Sequence, residues 1–136
     1  MKTTTVTLMS LCVLVGGGIG ALVRFWVTTG VNILVPGAFP LGTLLVNIAG
    51  SFLIGLLAIL LFVYVPFADY WRGVLITGFL GGFTTFSAFS LETVELMKNG
   101  DGPKALLYVI LSVACCIVAT GVGMYLAYAV TGVAKQ

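Results

Sequence analysis

Four apolar runs, each long enough to cross a lipid bilayer, leave this chain few ways to fold. A helical span needs roughly 20 mostly apolar residues. Such runs occupy about residues 6–30, 41–65, 72–97 and 104–130 of the 136-residue chain. The connections between them are short, and no segment is left over for a soluble domain. The expected architecture is an all-α membrane protein, with residues 1–136 forming a single four-helix transmembrane domain.

Composition agrees. The chain is 60% hydrophobic and only 7% charged, whereas charged residues make up about 25% of a soluble domain. A net charge of +2 gives no basis for binding nucleic acid. Histidine is absent, and the acidic residues are Asp69, Glu92, Glu95 and Asp101. Side-chain metal clusters, Ser-His-Asp arrangements and histidine proton relays therefore lack their parts. No phosphate-binding or dinucleotide-binding glycine motif is present. An enzyme is not expected. Cys12, Cys115 and Cys116 read as small packing residues.

The N-terminus has the outline of a signal peptide, with Lys2 before the apolar run 6–15. Its apolar character continues through the glycines to Trp26, without a clear small-residue cleavage site, so a membrane span is expected instead. Both termini and the second link share one side, which carries Lys2, Arg72 and Lys135; the opposite side carries Lys98 and Lys104, with Arg24 able to reach it. So small a difference sets no orientation by the positive-inside rule. Such a chain can insert both ways up, and four spans leave little room for a private pore, so an oligomer is expected. Paired copies of opposite orientation would reproduce the inverted repeats that transporters often build within one chain.

Function is expected in the third run, at T-G-F-L-G-G-F-T-T-F-S-A-F-S-L-E, residues 77–92. Glycine destabilises a helix, and unpartnered hydroxyls are costly in hydrocarbon. Broken backbone at membrane depth survives only when it is buried in protein or lines a cavity. The run Gly81 to Thr85 is expected to interrupt the helix. Freed carbonyls would suit a small cation, and freed amides and hydroxyls an anion. Phe86 and Phe89 are three residues apart, as are Ser87 and Ser90, so each pair shares a face if the helix resumes. Aromatic edges are weakly positive. Edges and hydroxyls together favour an anion without the tight hold of a lysine or arginine.

Other polar residues are placed more loosely. Asn47 lies mid-span and needs partners in protein or a cavity. Arg24 is expected to snorkel or line an aqueous vestibule. Glu95 reads as interfacial and is positioned to pair with Lys98, while Glu92 is nearer the serine ladder. Tyr108, Ser112, Cys116 and Thr120 recur every four residues, forming a weakly polar stripe on the fourth helix. Gly16 with Gly20, and Gly78 with Gly82, form G-x-x-x-G pairs that favour close helix packing.

Taken together, G-G-G-I-G-A-L-V-R, G-T-L-L-V-N-I-A-G-S-F and G-F-L-G-G-F-T-T-F-S-A-F-S-L-E resemble the motifs of the Fluc/CrcB fluoride channel family. The resemblance covers essentially the whole chain. It implies an antiparallel, dual-topology homodimer in the bacterial plasma (inner) membrane. That dimer would passively and selectively export cytoplasmic fluoride and confer fluoride resistance. It also implies a fluoride pore formed by Asn47, Phe86, Phe89, Thr85, Ser90, Tyr108 and Ser112. A structural Na⁺ would bind the backbone carbonyls of Gly81 and Thr84 at the dimer centre, with Arg24 and Glu92 at vestibule or gating positions. Cys116 stands where some members have serine, and a thiol is the weaker donor. The contrasting class, a small multidrug-resistance-type antiporter, uses a glutamate in its first span, but the first span here has no acidic residue.

Overall fold

The computed structural model describes residues 3–66 and 68–133, and it is all-helical. Lys2 and Lys135, counted above for orientation, lie outside the described residues, as does Phe67 in the second link. Helix α1 runs Thr3–Leu34 and α2 Leu41–Tyr64. The third span is composite: α3 at Ala68–Trp71, a π-helical stretch at Arg72–Leu80, α4 at Gly81–Phe83, and α5 at Phe86–Lys98. Helix α6 runs Gly102–Thr131. Four helical stretches are long and apolar enough to cross a membrane: Thr5–Leu34, Leu41–Tyr64, Asp69–Lys98 and Gly102–Thr131. The first helix extends past Gly30 to Leu34, because residues 31–34 offer no breaker and the turn is closed by the Val35 amide on the Val31 carbonyl.

The interruption of the third span falls within the expected run Gly81 to Thr85, at its threonines rather than at its glycine pair. Gly81 and Gly82 are helical, and the backbone becomes extended only at Thr84 (ψ 158°) and Thr85 (φ −151°, ψ 121°). Glycine's helix penalty is offset here by packing. A Cβ at Gly82 would collide with the Gly17 carbonyl of α1, and one at Gly16 or Gly20 with the carbonyls of Val74 or Phe79. A Cβ at Gly78 would come within 3.1 Å of the Gly16 Cα. The two G-x-x-x-G pairs are therefore two sides of one contact, where small residues let backbones touch. Helices α2 and α6 meet in the same way, through Gly55 against the Thr120 carbonyl and Gly123 against the Phe52 carbonyl.

Two buried clusters tie these contacts together. Leu44, Phe89, Leu96, Ala105 and Tyr108 join α2, α5 and α6. Val46, Leu80 and Phe83 join α2 to the first half of the third span. The outer faces remain apolar: Leu14, Phe62, Ile117 and Val130 are each at least two-thirds exposed, which suits lipid rather than water. The last link turns at Gly100 (φ 81°) and carries a Lys104–Asp101 ion pair of 2.9 Å. The pairing expected between Glu95 and Lys98 does not form. The ion pair of this region joins Asp101 and Lys104 instead. Cys12, Cys115 and Cys116 are free and half-buried.

Candidate functional site at the helix break

Asn47 organises the break. Its Nδ2 donates to the Thr85 carbonyl at 2.9 Å, and its Oδ1 accepts from the Thr85 amide at 2.7 Å. One side-chain amide thus replaces the helical acceptor that the Thr85 amide has lost and gives the Thr85 carbonyl a donor, meeting the demand of buried backbone for hydrogen bonds. Thr85 then caps α5, its Oγ1 accepting from the Ala88 amide at 3.2 Å. The Thr84 hydroxyl closes the preceding turn by donating to the Leu80 carbonyl at 2.9 Å.

These bonds leave backbone oxygens without their helical donors. The Thr85 amide would have bonded the Gly81 carbonyl, but it goes to Asn47. The Ala88 amide would have bonded the Thr84 carbonyl, but it goes to the Thr85 hydroxyl. Two hard oxygen acceptors are thereby released midway along the candidate span Asp69–Lys98, a donor set suited to a small oxygen-loving cation.

The break opens onto a concavity of about 550 Å³. Asn47, Gly81, Thr84, Thr85, Phe86, Phe89 and Ser112 all line it, and none of its lining residues is charged. Phe86 is 77% exposed and Phe89 only 8%, with ring centroids 5.3 Å apart. The Ser112 hydroxyl is buried and, among the described residues, is the one buried side-chain polar atom without a hydrogen-bond partner. Leaving such a group unpaired costs about 1–3 kcal/mol. It marks a place for a polar visitor.

Other predicted residues lie apart from this cavity. The Ser90 hydroxyl donates to the Phe86 carbonyl at 2.9 Å on its own helix. Tyr108 is fully buried behind Phe89 and donates to Glu92 Oε2 at 2.7 Å. Glu92 Oε1 accepts from the Thr43 hydroxyl, also at 2.7 Å. Arg24 is half-buried on α1 and has no ion-pair or side-chain hydrogen-bond partner among the described residues. The fourth-helix stripe therefore divides: Tyr108 turns to Glu92, Ser112 and Cys116 line the cavity, and Thr120 donates to the Ser51 carbonyl of α2 at 2.9 Å.

Sequence reasoning missed Thr43. Thr43 precedes Asn47 by one helical turn, so both share a face of α2. That spacing was the available signal. Gly50 is required by closeness, since a Cβ there would strike the Thr84 side chain.

Among the described residues, four helices long and apolar enough to cross a membrane, the third broken beside an uncharged cavity, give the outline of a multi-pass membrane protein. Residues 11–124 match the family described as CrcB-like protein, Camphor Resistance (CrcB), and the chain belongs to that family. Three relatives show its range. Each is named a fluoride-specific ion channel, FluC. The one from Methylococcus capsulatus is 46% identical over 112 residues, covering 82% of this chain and 49% of its own length. The Hydrogenobaculum protein is 52% identical over 100 residues, 74% of this chain and 81% of the relative. FluC 2 of Brucella abortus is 39% identical over 127 residues, 92% of this chain and 97% of the relative. The chain thus spans about half the length of the Methylococcus relative and most of the other two.

Proposed function

We propose that this protein is a fluoride-specific ion channel of the bacterial plasma membrane. It would export cytoplasmic fluoride passively, down its electrochemical gradient, after fluoride enters the cell as HF. Membership of a channel family supports this reading. The observation that carries the mechanism is the uncharged cavity lined by the Phe86 and Phe89 rings and by Ser112, whose hydroxyl has no hydrogen-bond partner.

A desolvated fluoride needs donors, but conduction needs sites weak enough to leave. The positive edges of Phe86 and Phe89 and the hydroxyl of Ser112 provide weak donors. No lysine or arginine lines the cavity to trap the ion. Asn47 holds the break open by occupying the Thr85 backbone. Thr85, Ser90 and Tyr108 complete the proposed path, with Glu92 and Arg24 towards its ends.

The proposed assembly is an antiparallel homodimer with dual topology. Near-equal basic charge on the two sides supports insertion in both orientations. The released carbonyls of Gly81 and Thr84 fit a structural Na⁺, which two copies would share at the dimer centre. When bound, that ion would supply a fixed positive charge beside those carbonyls.

Growth tests the biological reading. Expression in a bacterium lacking its own fluoride exporter should restore growth in fluoride medium. Phe86→Ile and Phe89→Ile should restore little or none. Failure of the unmodified protein to rescue growth, despite membrane expression, would contradict the reading.

A further inference from the structure

The link between α1 and α2 is exposed from Val35 to Ala38, but Phe39 turns inward. Its ring meets Tyr108 edge-on, with centroids 5.5 Å apart and planes at 77°. Tyr108 then packs on Phe89 at 5.2 Å, and Phe89 on Phe86 at 5.3 Å. Four aromatic rings therefore form an unbroken row from a membrane-surface link to the broken helix.

The first ring of that row is held by backbone. Pro40 has φ −80° and ψ 66°, and the Leu41 amide bonds the Phe39 carbonyl at 2.8 Å. These are the marks of an inverse γ-turn centred on Pro40. Proline restricts φ, so the turn is pre-set before α2 begins. Phe39 is consequently fixed relative to α2, the helix that carries both Thr43 and Asn47. The Tyr108 ring is held at three points: its T-shaped contact with Phe39, its tilted contact with Phe89, and its hydroxyl on Glu92.

We infer that Phe39 is a positioning residue for the broken helix: through Tyr108, it sets where the Phe89 ring stands at the cavity. The inference names a role outside the residues of the cavity itself. Its consequence for conduction rests on the fluoride reading above, whereas the positioning itself does not. Tightly packed rings transmit a displacement because interiors have few voids to absorb it. Losing the Phe39 edge lets Tyr108 tilt into the vacated space, and Phe89 follows.

The test compares Phe39→Leu, which keeps apolar bulk without a ring, with Phe39→Tyr, which keeps the ring. The Tyr variant's extra hydroxyl can reach water, since Phe39 lies only partly buried in an exposed link. Two readouts are taken on full-length protein. One is fluoride efflux from proteoliposomes. The other is the fluorine NMR signal of Phe89 carrying a ring fluorine, which requires no transport. Phe39→Leu should slow efflux at least several-fold and shift the Phe89 resonance, while Phe39→Tyr should retain both. An unchanged resonance in Phe39→Leu, or equal losses in both variants, would overturn the inference. If unmodified protein passes no fluoride, the channel reading fails, and the resonance alone still decides the role of Phe39.

Discussion

Asn47 and Thr85 bond each other in both directions, side-chain amide to backbone, at 2.7 and 2.9 Å. The pair lies 38 residues apart in sequence, on different spans. It makes a stable feature of what would otherwise be a defect: an extended residue in the middle of a membrane helix. The release of the Gly81 carbonyl follows from it.

Asn47→Ala should therefore disturb the break itself. It leaves the Thr85 amide unpaired and takes a donor from its carbonyl, at about 1–3 kcal/mol for the buried amide. Unfolding midpoints in detergent should fall and fluoride efflux should be lost. Full stability and flux in the alanine variant would show that water or a rearranged helix satisfies Thr85 instead.

Glycine substitutions should separate sharply by position. Gly82→Ala forces a methyl into the Gly17 carbonyl, and overpacking of this kind costs about 1–3 kcal/mol. Gly18→Ala places its methyl in open space, so it should be neutral or slightly stabilising in a helix. Thermal unfolding of the two variants side by side checks this. Equal behaviour would mean that α1 does not press on α4 as described.

Removing the shared acceptor should cost more than removing one donor. Glu92→Ala strands the hydroxyls of Tyr108 and Thr43, of which the Tyr108 site is fully buried. Its expected cost is about 1–3 kcal/mol, against about 1 kcal/mol for Tyr108→Phe. Denaturation of both variants in micelles gives the order, and a reversed order would mean the network is not held through Glu92.

The fold was legible where the signal is local. Long apolar runs mark four helices, and Asn99, Gly100, Asp101 and Pro103 mark the last turn. The break was legible as a run, Gly81 to Thr85, but not which of its residues leave the helix: Thr84 and Thr85 do, and the glycine pair does not. Propensity describes isolated helices, whereas Gly81 and Gly82 belong to a helix pressed against α1. The placement at threonine depends on Asn47, a distant partner that no local window contains. The Glu92 network and the Phe39 row were hidden for the same reason. Their members meet only after α2, α5 and α6 have packed.

Sodium removal probes the released carbonyls. If Gly81 and Thr84 hold Na⁺ between two copies, replacing sodium with a large organic cation throughout purification should abolish efflux, and returning sodium should restore it. Undiminished efflux after exhaustive replacement would remove the ion from the account.

The central claim is selective fluoride conduction through the cavity at the break. Proteoliposomes loaded with both anions, read by fluoride and chloride electrodes after adding a potassium ionophore, test it most directly. The account predicts rapid fluoride release with chloride retained, and loss of that release in Phe86→Ile and Phe89→Ile. Equal release of chloride, or no fluoride release from reconstituted protein, would contradict it.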